Sequence, residues 1–107
     1  MTDCLFCKIV VKEIPSTPVG ETDLVYAFRD IAPTAPTHVL LIPKEHLADS
    51  AAEVDLGDGS WLADLFGLAA RIALEEGLDD GWRLITNVGP AAGQTVFHIH
   101  FHLMGGW

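Results

Sequence analysis

The stretch "TVFHIHFHLM", residues 95–104, places three histidines at alternate positions near the end of the chain. Alternation of polar and apolar residues with a period of two predicts a β-strand with one buried face. His98, His100 and His102 would then share one face with Val96, with about 7 Å between successive histidines. The opposite face would pack under a helix, and it would carry Phe97, Ile99, Phe101 and Leu103.

Three imidazoles on one strand face indicate a functional site, but their spacing leaves the chemistry open. Neighbouring histidines in an H-x-H pair can hold one zinc ion. Alternatively, one imidazole attacks phosphorus as a nucleophile while its neighbours move protons, because histidine titrates near neutral pH. The Gly-rich turn "GPAAGQ", residues 89–94, directly precedes the strand and would bring backbone N–H groups to a phosphate. The turn therefore favours the nucleophile.

The patterns in the rest of the chain predict an α+β class with a mostly antiparallel sheet, since no regular βαβ alternation is present. Apolar residues at helical spacing predict a long helix over 61–76, capped by Asp58 or Ser60 and ended by Gly77. The other predicted elements are a short helix within 4–13 and strands over 24–30, 38–46 and 82–88, with Pro43 ending the pairing of the second strand. Without repeats or linkers, residues 1–107 are expected to form a single domain.

The composition excludes several classes of function. Fifteen acidic residues face six basic ones, for a formal net charge of −9. That is too little positive charge to bind a nucleic acid polymer, although a small anionic ligand is not excluded. No apolar run has the length of a membrane span, and the N-terminus lacks the basic region of a secretory signal, so we expect a cytoplasmic protein. Hydrophobic residues make up 50% of this small chain, which favours an oligomer.

Cys4 and Cys7 form a C-x-x-C pair near the N-terminus. In a reducing compartment, this spacing indicates metal or redox chemistry before a structural disulfide. Redox use is disfavoured because the βαβ context of thioredoxin-like proteins is missing. Two interpretations remain: buried free thiols, or a structural zinc site completed by two histidines from elsewhere in the chain.

Three segments of the chain resemble the histidine-triad (HIT) nucleotide-binding family. They are "CLFCKIVVKEIPS", "AFRDIAPTAPTHVLLIPKEH" and "GQTVFHIHFHLMGG", and the resemblance runs from residue 4 to 106. It implies a five-stranded antiparallel sheet with a short N-terminal helix and one longer helix, extended to ten strands in a homodimer. The trailing "GG" is similar to the Hint branch, while "AGQTV" also occurs in the dinucleoside polyphosphate hydrolase branch.

The resemblance implies hydrolysis or transfer at the α-phosphate of purine nucleoside phosphoramidates, such as AMP-amines or aminoacyl-adenylates. His100 would be the nucleophile and form a nucleotidyl-histidine intermediate, and His102 with His38 would handle the proton of the leaving group. No metal is needed for this chemistry. The implied nucleotide-binding residues are Asn87, Gly93, Gln94 and Thr95 at the phosphate, Asp30 at the ribose, and Phe6, Phe28, Ile31 and Leu40 at the base.

The same resemblance implies a structural zinc ion bound by Cys4, Cys7, His46 and His98, which would pin the N-terminal helix to the sheet. Two further hypotheses compete with the nucleotidyl hydrolase. One is a metallohydrolase with zinc held by the triad itself, which lacks an obvious catalytic carboxylate beside the histidine strand. The other is a nucleotide-binding adaptor whose activity is incidental.

Overall fold

The computed structural model describes residues 3–55, 57 and 59–107. In this part of the chain, helices Leu5–Val10 (α1) and Ser60–Glu75 (α2) accompany one five-stranded sheet. The strands are Pro18–Glu21 (β1), Val25–Arg29 (β2), Thr37–Pro43 (β3), Trp82–Ile85 (β4) and Phe101–Gly105 (β5). They lie in the order β1-β2-β3-β5-β4, and all neighbours are antiparallel. The predicted α+β class and five-stranded antiparallel sheet are confirmed.

Helix α2 covers one face of the sheet and buries the main hydrophobic core. The helix contributes Trp61, Leu65, Leu68, Ala69 and Ile72, and the strands contribute Val25, Ala27, Val39, Leu41 and Leu103. Each large side chain buried here contributes about 1.5–3 kcal/mol relative to exposure. No helix in the described part of the chain is long and apolar enough to cross a membrane.

The ends of α2 differ in how well the sequence predicted them. Gly59 is the N-cap residue and Ser60 is the first helical residue, so the prediction of a Ser60 cap is wrong, while Asp58 lies outside the described residues. At the other end, Gly77 adopts a φ of 72°, and the N–H of Leu78 bonds to the carbonyl of Ala73. That geometry favours glycine, so the predicted stop at Gly77 is confirmed.

The second face of the sheet is only partly covered. Helix α1 packs Phe6 and Ile9 against Phe28, Leu40 and Ile42. Because side chains alternate along β3, His38 projects from the same face as Leu40. The β3–β5 register pairs Leu40 with His102, which places that ring on this face as well. This face, opposite α2, therefore carries histidines beside the residues packed under α1, and we name it the open face.

Strand β5 differs from its prediction, because it begins at Phe101 rather than at residue 95. The segment before β5 does not pair with a strand. It is hydrogen-bonded instead to the loop after β3, where the N–H of Ile99 donates to the carbonyl of Ala48 at 2.9 Å. Phe97 consequently lies 47% exposed, not in the core. Strand β1 was not predicted from the residue pattern, since its four residues include a proline, a glycine and an irregular register.

Candidate functional site

The first group of polar side chains on the open face comprises Asp30, His38, His100 and His102, and we name it the strand cluster. Nε2 of His38 lies 2.9 Å from Nδ1 of His102 and 3.3 Å from Oδ2 of Asp30. Nδ1 of His38 accepts the backbone N–H of Thr34 at 3.1 Å. An uncharged His38 therefore carries its proton on Nε2 and donates it to His102. Because Nδ1 of His102 accepts this hydrogen bond, an uncharged His102 carries its own proton on Nε2.

His100 is held in the opposite tautomer by its own segment. Its Nδ1 lies 2.8 Å from the carbonyl oxygen of His98, so Nδ1 carries the proton and donates it. Phe6 packs edge-on against the ring, with 5.0 Å between centroids and an interplanar angle of 88°. Nε2 of His100 has no hydrogen-bond partner among the described residues. Every fully buried side-chain nitrogen in this part of the chain does have a partner. Nε2 of His100 is therefore not fully enclosed. The ring presents an accessible nitrogen lone pair.

Burial keeps both of these rings uncharged near neutral pH. It lowers the pKa of His100 below the ordinary value, although the hydrogen bond to the His98 carbonyl opposes this shift. It also lowers the pKa of His102 to about 4, with further lowering from the charged forms of His100 and His38. An uncharged imidazole is the form that attacks an electrophile.

The geometry of the strand cluster does not favour a metal held by the triad. The rings of His98 and His100 each use one nitrogen on a backbone carbonyl, and His98 turns its other nitrogen toward the cysteines. Asp30, His38 and His102 do approach one another closely enough to be considered as ligands. However, Nε2 of His38 carries a proton there and has no lone pair to donate to an ion.

The second group, Cys4, Cys7, His46 and His98, is named the cysteine–histidine cluster. Nδ1 of His98 lies 3.2 Å from Sγ of Cys4 and 3.6 Å from Sγ of Cys7, and Nδ1 of His46 lies 3.8 Å from the Cys7 sulfur. A tetrahedral zinc ion with ordinary bond lengths separates nitrogen and sulfur ligands by about 3.6 Å. The donor set and spacing therefore fit zinc.

The outer nitrogens of both histidine ligands support this fit. Nε2 of His98 bonds to the carbonyl of Pro43 at 2.9 Å, and Nε2 of His46 bonds to Oδ1 of Asp49 at 2.7 Å. Such contacts place the outer ring proton and direct the Nδ1 lone pair toward a metal. Burial raises the pKa of the Cys4 thiol, but hydrogen bonds from Cys7 and His46 outweigh it, so the net pKa is lowered. A lowered pKa favours the thiolate that binds metal.

The Gly-rich turn differs from its predicted role. The N–H groups of Gly89, Ala92, Gly93 and Gln94 all bond within the turn, so they are not directed at a ligand. The Gln94 side chain is buried, and its amide bonds to the backbone of Gly89, Asp49 and Val96 at 2.6–3.1 Å. The Gln94 amide therefore braces the turn, and a contact between Gln94 and phosphate stays a prediction. Thr95 is exposed. Gly93 lies near Asn87, since a Cβ added to Gly93 would be 4.0 Å from Nδ2 of Asn87.

The residues expected at the base divide into two environments. Phe6, Phe28 and Leu40 are buried and pack together in the smaller core. Ile31 is 98% exposed and follows Asp30, whose Oδ1 accepts the N–H of Ala32 at 2.8 Å. The first three residues therefore belong to the core under α1, while the Ile31 side chain is exposed.

Sequence reasoning missed the groups that orient these side chains. They are the N–H of Thr34, the carbonyls of Pro43 and His98, the carboxylate of Asp49 and the hydroxyl of Thr86. Three of the five are backbone groups, which carry no residue-specific signal. Asp49 lies three residues after His46, a spacing that could have indicated a contact.

Comparison with known proteins identifies the family. A family model described as the HIT domain matches residues 11–107. The purine nucleoside phosphoramidase of Escherichia coli K12 is 47% identical over 97% of this chain and 87% of its own. A 14 kDa zinc-binding protein of Zea mays is 48% identical over 95% of this chain and 80% of its own. A HIT family hydrolase from Clostridium thermocellum superposes with a TM-score of 0.94 at 47% identity, covering 100% of this chain and 93% of that structure.

The chain therefore belongs to the HIT family. Its predicted family and its predicted nature as an enzyme are confirmed.

Proposed function

We propose that this protein is a nucleotidyl hydrolase or transferase that cleaves purine nucleoside phosphoramidates at the α-phosphate, with His100 as the nucleophile. The observation that carries the proposal is the hydrogen bond of 2.8 Å from Nδ1 of His100 to the carbonyl of His98. It leaves Nε2 unprotonated and accessible, which is what attack on phosphorus requires. The similarity to a purine nucleoside phosphoramidase supports the substrate class.

In the first step, Nε2 of His100 attacks the α-phosphorus in line with the leaving amine, and the P–N bond breaks. The negative charge of the bound phosphate favours a protonated His102, whose Nε2–H supplies the proton that the amine takes away and which is left as a neutral ring. The ring of His100 becomes positively charged as it forms the nucleotidyl intermediate, and its centroid lies 5.1 Å from that of His102. This developing charge favours loss of a proton from His102, and Nδ1 of the neutral ring is then hydrogen-bonded to Nε2 of His38, 2.9 Å away.

In the second step, water attacks the same phosphorus and the bond to Nε2 of His100 breaks. The proton from water returns to His102, so the nucleoside monophosphate leaves and both rings regain their starting state. The Nδ1 proton of His100 stays on the His98 carbonyl throughout. No metal ion takes part in either step.

We assign nucleotide contacts from the groups that remain available on the open face. Thr95, which is exposed, and the amide of Asn87, which lies near Gly93, would contact phosphate oxygens. Asp30 binds ribose hydroxyls through its carboxylate, and Ile31 covers the base above Phe6, Phe28 and Leu40. Gly93 has a φ of 95°, which favours glycine and lets the turn pass close to the phosphate.

We also propose that the cysteine–histidine cluster binds a structural zinc ion through Cys4, Cys7, His46 and His98. The ligand distances, the outer hydrogen bonds and the zinc-binding relative from maize support this proposal. When bound, the ion would fasten α1 to the loop after β3 and to the segment before β5.

The function is tested by incubating the protein with a panel of AMP- and GMP-amines and stopping the reaction after short times. Mass spectrometry of proteolytic peptides should find a nucleotide on His100, and His100→Ala should lose the adduct and at least about 10⁴-fold in kcat. An adduct that forms equally well in His100→Ala would overturn the assignment.

The alternatives give different results in the same experiment. A triad-bound catalytic metal predicts loss of adduct and turnover within seconds of chelation. A nucleotide-binding adaptor predicts tight binding of purine nucleotides with negligible turnover of every phosphoramidate. A dinucleoside polyphosphate hydrolase predicts faster turnover of polyphosphates than of phosphoramidates.

A further inference from the structure

The backbone of His100 lies just outside the regular sheet. The described pairing of β4 with β5 ends at Ile85 and His102, and the pairing of β3 with β5 ends at Leu41 and Phe101. The peptide carbonyl of His100 therefore lies beyond both ladders. It is bonded instead by a side chain, because Oγ1 of Thr86 donates to it at 2.7 Å. Thr86 immediately follows β4 and is half-buried.

His100 is held at three points that act on different parts of the residue. The carbonyl of His98 fixes the rotation of the ring through Nδ1, and the edge-on contact with Phe6 limits its tilt. Thr86 acts on the main chain from which the ring projects. Of these three contacts, only that of Thr86 comes from the segment directly after β4, so among them it alone ties the residue to that side of the sheet.

We propose that Thr86 is a positioning residue for the reaction, and that its hydroxyl holds the His100 main chain so that Nε2 stays in line with the phosphorus. The inference rests on the proposed role of His100. A misplacement of about 1 Å in the attacking atom can slow such a reaction about 100-fold. A side-chain hydrogen bond at the end of a ladder is the contact that resists such a shift.

Two variants separate the hydroxyl from the shape of the side chain. Thr86→Val keeps the branched shape and removes the donor, whereas Thr86→Ser keeps the donor. Loss of one such bond corresponds to about 1 kcal/mol or somewhat more, so Thr86→Val should form the His100 adduct about tenfold more slowly in single-turnover experiments. Thr86→Ser should stay within about threefold of the wild type, and the Kd for a purine nucleoside monophosphate should change little in either variant.

A purely structural role for Thr86 is distinguished by a matched control and by spectroscopy. Thr22→Val removes another hydroxyl, which donates to Asp64 of α2 at 3.0 Å. This variant should lower the urea midpoint without slowing formation of the adduct. In ¹⁵N NMR spectra, the Nδ1–H signal of His100 should shift and exchange faster in Thr86→Val. It should remain as in the wild type in Thr86→Ser and Thr22→Val.

The inference is overturned if Thr86→Val forms the adduct at the wild-type rate, or if Thr86→Ser is as slow as Thr86→Val. It is also overturned if the rate falls only in proportion to the unfolded fraction while the Nδ1–H signal is unchanged. Absence of any adduct in the wild type would instead refute the proposed function. The two failures are therefore distinguishable.

Discussion

The cysteine–histidine cluster and the strand cluster meet at the ring of Phe6, which contacts His98 at 5.9 Å and His100 at 5.0 Å between centroids. The two histidines are two residues apart, yet their hydrogen bonds are opposite. In His98 the backbone bond is made by Nε2, so Nδ1 faces the sulfurs of Cys4 and Cys7. In His100 the backbone bond is made by Nδ1, so Nε2 is left accessible. The choice of nitrogen separates the proposed metal ligand from the proposed nucleophile.

The surroundings of the two clusters match these different uses. The cysteine–histidine cluster combines two thiols with two ring nitrogens, a donor set suited to a soft or borderline metal. The strand cluster offers only rings and one carboxylate, and burial keeps its His100 and His102 uncharged. The comparison predicts that metal binding and covalent chemistry can be impaired separately. Three experiments examine that separation, and a fourth tests the burial of the strand cluster.

Metal removal should give the largest effect, and it should act on stability. With free zinc at about 1,000 times its Kd, binding adds about 4 kcal/mol to the free energy of unfolding. Urea unfolding with and without a strong chelator measures this difference. In Cys4→Ser/Cys7→Ser the chelator should have no effect. The His100 adduct should still form in a short assay after chelation, and its complete loss would break the separation between the clusters.

Substitution of His38 should act on the chemistry. In His38→Gln either the oxygen or the N–H₂ of the amide can face Nδ1 of His102, so the proton of His102 is no longer fixed on Nε2. We expect kcat to fall about 100-fold, the usual contribution of a positioned proton donor. Steady-state kinetics measure the effect, with Arg71→Gln on the exposed surface of α2 as a control. An unchanged kcat would show that His38 has no part in the mechanism. An unchanged zinc content in His38→Gln would show that the effect is confined to the strand cluster.

The pH dependence of stability tests the burial of the strand cluster. The pKa of His102 is about 4 in the folded protein, below the ordinary value of about 6.5 expected in the unfolded chain. Between these values only the unfolded chain binds the proton, so the free energy of unfolding should fall as the pH is lowered from about 6.5 to about 4. Since the ring is half-buried, we expect a loss of about 1–2 kcal/mol.

Urea unfolding at several pH values checks this prediction, with metal removed beforehand so that its release does not contribute. The variant His102→Gln should show a smaller loss over the same interval. Equal losses in both proteins would mean that His102 is as easily protonated in the folded state as in the unfolded chain.

Substitution of Asp49 should give the smallest effect and should be confined to the metal. Its carboxylate holds the outer nitrogen of His46 at 2.7 Å, but the side chain is 52% exposed. We expect Asp49→Ala to weaken zinc binding about tenfold, at the low end for such outer contacts. Competition with a chromophoric chelator measures the affinity. A slower His100 adduct at saturating zinc would show that the two clusters are coupled.

Several features of the fold could be predicted because they depend on local pattern. Helical spacing of apolar residues identified α2, Gly77 marked its end, and Pro43 marked the end of β3. Strand β1 had no such pattern, since Pro18 and Gly20 are poor strand residues and its pairing with β2 supplies the stabilisation. The start of β5 depended on a backbone bond to Ala48, which is distant in sequence.

In the candidate site, too, local pattern predicted some features, whereas contacts distant in sequence decided others. The alternation of His98, His100 and His102, together with Cys4 and Cys7, was sufficient to indicate two kinds of site. Gln94 was expected at a phosphate, but its amide bonds to three backbone groups of the turn and the neighbouring loop. Buried amides are bonded to whatever partners the fold brings near, and those partners are not visible in a sequence motif.

The sequence by itself determined the class of fold, the family and the residue types that meet on the open face of the sheet. The tertiary structure alone decided which nitrogen of each histidine is accessible, because that choice depends on the carbonyls of Pro43 and His98 and on the N–H of Thr34. Every residue but proline carries both backbone groups, so only their positions in space distinguish the ones that orient a ring.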